Sequence, residues 1–198
     1  MPPEKLDKRL TQQFAFLTEV DRLKTVLRAT PIYEGSRVEN SGEHSWHVAL
    51  FAMVLAEHAA QPIRVDRVIK MLLIHDLVEI DAGDTPIHGD FDQHAQDLKE
   101  QEAADRIFGL LPAEQEREFR DLWDEFEAAQ SDDAIFAKSI DRVQPVLANL
   151  ANDGGTWPEY NVTPAQLETR VGAKVTRGAP SLWHHLKSRI DAWFSNAS

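Results

Sequence analysis

The stretch Val68-Ile69-Lys70-Met71-Leu72-Leu73-Ile74 runs without a break into His75-Asp76, and this junction limits the fold more than any other part of the chain. Six apolar residues in seven require burial on nearly every side, so the imidazole and the carboxylate that follow are carried inward with them. Left unpartnered, two such groups cost on the order of several kcal/mol. They can ligate a metal together, because adjacent helical residues stand about 100° apart and approach one ion from two sides of a ridge. Alternatively, His75 bonds a backbone carbonyl and Asp76 faces a lysine from elsewhere.

The rest of the 198-residue chain follows a helical rather than an alternating apolar pattern, which predicts an all-α fold. A first helix is expected from about Leu6 to Arg28, with Leu10, Phe14, Leu17, Leu23, Val26 and Leu27 as its apolar stripe and Thr30-Pro31 as its end. Tyr33 to Gly42 reads as a loop, after which Ser41 can cap a helix lasting to about Ala60. The His75-Asp76 helix spans roughly Val65 to Ile80 and stops at Asp81-Ala82-Gly83-Asp84-Thr85-Pro86. Two polar-faced outer helices, Asp92–Leu111 and Pro112–Ala129, precede a strongly apolar one, Asp132 to about Asn152, which is the candidate central helix. Helices near Pro164–Val175 and Pro180–Ser195 close the chain, and no boundary divides residues 1–198.

Composition narrows the chemistry. With no cysteine, thiolate-held zinc, iron–sulfur clusters and thiol nucleophiles are excluded, so any metal sits on nitrogen and oxygen. Twenty-one basic against 33 acidic side chains give a net charge of −12, unsuited to long nucleic acid. No run of 18 apolar residues suggests a membrane span, and Met1-Pro2-Pro3-Glu4-Lys5 opens no signal peptide, so a cytoplasmic setting is expected.

Two further groups join His75-Asp76 as candidates. His44, Val48, Phe51 and Leu55 fall on one helical stripe, which turns His44 inward. Asp141 lies beside the apolar stripe of the Asp132–Asn152 helix, flanked one turn away by Ala137 and Pro145, whose small size leaves room for another helix or an ion. Two imidazoles and two carboxylates from three helices suit Mn, Fe, Co, Ni or Zn better than Ca or Mg.

Arg37-Val-Glu-Asn-Ser-Gly-Glu43-His44-Ser45-Trp46, His75-Asp76-Leu-Val-Glu79, Gly83-Asp84 and Lys138-Ser-Ile-Asp141 together resemble the motif series of the HD-domain phosphohydrolases, and more closely their 5′-deoxynucleotidase branch, the YfbR-like enzymes. The resemblance spans roughly Leu23 to Asn152. It implies a single HD-type helical bundle with one divalent transition metal on His44, His75, Asp76 and Asp141. It also implies a phosphomonoester substrate, most closely a (deoxy)nucleoside 5′-monophosphate, and a homodimer. The residue types suit that reaction, which needs an activated water, neutralised phosphoryl oxygens and a proton for the leaving alkoxide. Glu79, one turn beyond His75, is the candidate general acid or base, with Asp84 sharing the proton work or touching the sugar. Arg37 and Lys138 are candidate phosphate ligands, or else salt-bridge partners such as Arg37 to Glu39 or Glu43. His47 reads as a supporting or core residue and Trp46 as packing, while His88 and His94 are not on one helical face.

The same scaffold carries HD-type phosphodiesterases, di-iron oxygenases and, where the site has degenerated, non-catalytic nucleotide-binding regulators; these are the alternatives. One departure bears on the substrate. Members of the branch carry an Arg-Trp pair just before a proline, which holds the phosphate and senses the sugar, whereas here the stretch reads Arg28-Ala29-Thr30-Pro31. Arg28 can stand in by a shift of one position. With the tryptophan missing, a preference for deoxyribose over ribose is not carried over.

Overall fold

The computed structural model describes residues 3–197; Met1, Pro2 and Ser198 of the expected 1–198 unit lie outside the described residues. The fold is an all-α bundle with one small two-stranded sheet. In chain order come α1 (Pro3–Val20), β1 (Leu27–Pro31), β2 (Val38–Asn40), α2 (Ser41–Leu55), α3 (Val65–Ile74), α4 (Glu79–Ala82), α5 (Gln93–Phe108), α6 (Ala113–Ala128) and α7 (Asp132–Ala151). The short α8 (Thr156–Glu159), α9 (Pro164–Leu167) and α10 (Ala173–Gly178) lead to the closing α11 (Pro180–Ala197). No helix among the described residues is long and apolar enough to cross a membrane.

The hub is α7, which packs against α2, α3, α6, α10 and α11. Its Phe136, Ala137, Ile140, Val143 and Val146 are buried, and Pro145 is accommodated without ending the helix. One apolar cluster joins α2, α3, α5 and α6 to the first half of α7 around Met71, Leu72, Trp123 and Phe126. A second joins its later half to the closing helices through Trp157, Leu167 and Trp183. The buried Asp133 accepts from the backbone N–H of Arg64 (2.7 Å) and from its Nε (2.9 Å), which pins the start of α3 to the start of α7.

Several local expectations are corrected. The first helix ends at Val20 and passes through a 3₁₀ turn, Asp21–Thr25, into β1, which pairs antiparallel with β2. Backbone pairing with 38–40 outweighs the helical periodicity of 23–28, and the segment expected to be loop supplies the partner strand. The stripe Leu10, Phe14, Leu17 faces solvent, while Phe16 and Leu23 enter the core. At α2 the cap is Asn40 rather than Ser41: Asn40 accepts from Glu43 N–H, and the Glu43 carboxylate accepts from Asn40 N–H, a capping box.

The helix beginning at Val65 also does not run unbroken to Ile80. It tightens into a 3₁₀ turn at His75–Val78 before α4. Gly83 then adopts φ +78°, in the left-handed region that a side chain disfavours, and turns the chain so that Asp84 comes back over the pocket.

Candidate metal and phosphate site

His44 from α2, His75 from the turn after α3 and Asp141 from α7 meet where these three helices touch. Each offers one ligand atom, and the three atoms lie within 4.8 Å of one another, all buried. The tautomers follow from what each ring touches. His75 Nδ1 lies 2.8 Å from the Leu72 carbonyl, so it carries the proton and leaves a lone pair on Nε2. Nδ1 of His44 faces two acceptors, Gln144 Oε1 at 3.1 Å and Glu39 Oε2 at 3.3 Å, which likewise frees its Nε2. That Nε2 stands 3.0 Å from Asp141 Oδ1.

Two imidazole Nε2 atoms and a carboxylate therefore converge; with no metal bound, burial disfavours a charged His75 ring, but Asp76 and Asp141 outweigh it and raise His75 to about 10, a proton that a metal would displace. His75 Nε2 is a buried atom without a hydrogen bond, although Asp76 Oδ1 lies at 2.9 Å and Asp141 Oδ1 at 3.6 Å. An orphaned imidazole nitrogen beside buried carboxylates fits a cation, and this N/O set fits a divalent metal. The electrostatics agree in direction. Burial pushes Asp141 up, but Arg142 and the two imidazoles hold its carboxyl well below the usual range. Burial also opposes ionisation of Asp76, yet His75 and Arg28 bring it to about 2.

Arg28, on β1, is the residue that the motif spacing left in question. Its Nη1 donates to Asp76 Oδ2 (2.9 Å) and lies 3.6 Å from Asp84 Oδ1 and 3.9 Å from Glu79 Oε1. Burial works against its charge, and the surrounding carboxylates more than compensate. Glu79 is pushed well above the ordinary carboxyl range by burial, then by the Asp76 charge, with Arg28 pulling the other way. The Ser41 hydroxyl donates to its Oε2 (2.5 Å). Asp84 is raised as well, again chiefly by burial.

Arg28, His75, Asp76, Glu79, Asp84 and Asp141 line one cavity of about 780 Å³, together with Lys138 and Arg142, while His44 lies behind its wall. Lys138 Nζ is tied to Glu127 (2.8 Å) and sits 3.9 Å from the centre of the Phe126 ring. Arg37 is not brought to the cavity. It is exposed and forked onto Glu43 at 2.7 and 2.8 Å, the salt bridge that its sequence spacing also allowed. Trp46 is 60% exposed rather than packed. His47 Nδ1 is 3.5 Å from Gln144 Nε2, a supporting position. Among the described residues the metal-type cluster contains neither His88 nor His94.

Sequence reasoning missed Glu39 and Gln144. Gln144 Nε2 donates to Glu39 Oε1 (3.0 Å), so the two form a buried bracket behind His44. The only signal for them was polarity at positions flanking apolar ones.

Residues 20–183 match the HD domain family. The human 5′-deoxynucleotidase HDDC2 is 31% identical over 133 residues, covering 67% of this chain and 64% of that protein. The chain thus spans a little under two thirds of that relative's length. The 5′-deoxynucleotidase yfbR of Photorhabdus temperata is 29% identical over 167 residues, 80% of this chain and 84% of its own. A crystal structure from Magnetospirillum magnetotacticum, described as a predicted metal-dependent phosphohydrolase, aligns with TM-score 0.90 at 43% identity, covering 96% of this chain and 95% of that one. With the motif residues gathered on α2, α3 and α7 and the match running through most of its length, this chain belongs to the HD-domain family, on the branch whose curated members carry the name 5′-deoxynucleotidase.

Proposed function

We propose that this chain is a metal-dependent phosphomonoesterase acting on a small nucleotide, a (deoxy)nucleoside 5′-monophosphate. The observation that carries the reading is the convergence of ligand atoms from His44, His75 and Asp141 beside a cavity that the buried Arg28 and Glu79 also line. His44, His75, Asp76 and Asp141 would hold one divalent ion of the Mn, Fe, Co, Ni or Zn group, which when bound supplies an acidified water and charge to offset the phosphoryl oxygens.

The chain's own residues do the rest. Arg28 presents its guanidinium to the phosphate from β1, and Lys138, which lines the same cavity, adds a positive charge from α7. Glu79 passes its proton to the leaving alkoxide, and Asp84 restrains the sugar side of that alkoxide. The Glu39–Gln144 bracket fixes the His44 ring so that Nε2 stays aimed inward. Arg37 has no part in this scheme.

The proposed assembly is a homodimer, supported by the apolar side chains that α1 and α2 leave uncovered, and the proposed setting is the cytoplasm, where a chain with no cysteine needs no oxidising compartment. The test is phosphate release from ribo- and deoxyribonucleoside monophosphates across a panel of divalent metals. Release should depend on added metal and fall more than about a hundredfold in His75→Ala and Asp76→Ala with the helical circular-dichroism signal intact. Unchanged turnover in both variants overturns the assignment.

A further inference from the structure

The cavity is electrically lopsided. Around Arg28 the carboxylates of Asp76, Glu79 and Asp84 crowd together, whereas the wall built by α7 and the segment leading into α10 is basic. Lys138 and Arg142 stand one turn apart on α7, and Arg170, Lys174 and Arg177 follow at spacings of four and three; all five line the cavity. The second row sits on an unusual backbone. Glu168–Gly172 forms a π turn, a wide turn that often marks a functional position. Gly172 within it packs so close to Trp183 that an added Cβ would lie 2.5 Å from the ring. Trp183 thus holds the wide turn against the bundle, with Arg170 on its cavity side.

These five cations are only partly neutralised. Lys138 is engaged by Glu127. Arg142 meets only Asp141, at 3.7 Å, and its buried Nε has no hydrogen-bond partner. Arg170 donates to a backbone carbonyl, that of Ile87 (2.9 Å). Lys174 and Arg177 form no ion pair among the described residues. The neighbouring carboxylates offset the group only in part: Glu127 is taken by Lys138, Glu100 accepts from Gln96, and the pull of Asp141 and Glu127 on Lys174 is outweighed by burial, Arg142 and Lys138.

The neighbours register this excess charge. Burial and then Arg170 and Arg142 hold His88 down to about 4, and its Nδ1 is buried without a partner. Burial and then Arg142 and Lys138 likewise lower Lys174. Arg142 shares the single carboxylate of Asp141, and Arg170, Lys174 and Arg177 form no ion pair among the described residues, so the cations gathered on this side of the cavity repel one another unless an anion joins them.

We propose that Arg142, Arg170, Lys174 and Arg177, with His88 beside them, form a second anion subsite that takes a second phosphate carried by the leaving group of a phosphomonoester substrate. This inference rests on the phosphomonoesterase reading and adds to it a preference, among phosphomonoesters, for those whose leaving group carries a second phosphate. The scissile phosphate occupies the Arg28 end, and the alcohol spans the cavity to the basic wall. A volume of about 780 Å³ accommodates such a molecule.

The test pairs each nucleoside 5′-monophosphate and sugar monophosphate with its bisphosphate counterpart. For at least one pair, kcat/KM for the bisphosphate should exceed that for the monophosphate by about tenfold or more, one charge-assisted contact's worth of discrimination. In Lys174→Gln/Arg177→Gln that ratio should fall toward one. Calorimetric binding of the same pairs to metal-free protein gives a readout independent of turnover, and the bisphosphate should again bind about tenfold tighter in the parent only. A ratio near one for every pair in the parent protein, by rate and by binding, overturns the subsite while leaving monoester hydrolysis intact. Equal losses on both members of a pair in the double variant, with the fold unchanged by circular dichroism, also overturn it, because the cations would then serve the scissile phosphate. Selective binding of bisphosphates with no hydrolysis of any monoester would sink the enzymatic reading and keep the subsite.

Discussion

At the scale of single residues, the site is decided by what lies behind each functional group. Leu72 O, Glu39 and Gln144 orient two imidazoles, and Arg28 draws on three carboxylates, of which burial keeps Glu79 and Asp84 raised while Asp76 is lowered. Glu79 gives a test with a definite sign. Its folded-state pKa lies above the ordinary 4.5, raised by burial and then by Asp76, so between those two values the folded chain binds a proton that the unfolded chain has lost. The stabilising term is present in full below 4.5 and is lost as pH rises through the folded value. Metal-free Glu79→Gln lacks this term. In denaturant titrations from pH 5 to 8 its stability should gain on that of the parent, by at most about 1.4 kcal/mol per pH unit. A gap that stays constant with pH would show that Glu79 is ionised throughout. His75-Asp76 could be read from sequence, because two ionisable groups at the end of an apolar run have to be accounted for. Glu39 could not, since a lone Glu between Val38 and Asn40 looks like any surface residue until β2 folds it inward.

At the scale of elements, short irregular pieces place the chemistry and long helices hold them. Arg28 reaches Asp76 because 27–31 is a strand instead of the last turn of α1, and Ser41 reaches Glu79 because Asn40 has taken over the cap. Removing that cap should therefore matter twice. Asn40→Ala is expected to cost about 1 kcal/mol, read as a lower midpoint in thermal melts. It should also weaken metal binding, because the first turn of α2 carries His44. A full loss of stability with metal affinity unchanged would mean that the His44 ring is held by Glu39 and Gln144 alone. Long apolar segments such as α3 and α7 were legible to within a few residues. The 3₁₀ turn at His75 and the strand at Leu27 were not, because each depends on a partner distant in sequence.

At the scale of the whole molecule, α2 is apolar on two sides. One carries His44, Val48 and Ala52 into the core, and the other exposes Trp46, Leu50, Met53 and Val54. A helix of this kind is normally covered on both faces, and α1 shows solvent a further stripe of Leu6, Leu10, Phe14 and Leu17. If a second copy covers α2, Met53→Asp/Val54→Asp should elute as a monomer in light-scattering chromatography while keeping its metal-dependent phosphate release; a parent protein that is itself monomeric would exclude the dimer. The pattern of apolar residues by itself determined that the chain is helical, that α7 is central and that His44, His75, Asp76 and Asp141 turn inward, because burial of a repeating stripe is a local property. Only the tertiary structure decided that Arg28 and not Arg37 enters the cavity, that Leu10, Phe14 and Leu17 stay outside, and that basic side chains of α7 and residues 170–177 line the same cavity as Asp76, Glu79 and Asp84. Those outcomes depend on which surfaces meet, and electrostatic and packing partners separated by a hundred residues leave no periodicity in the chain.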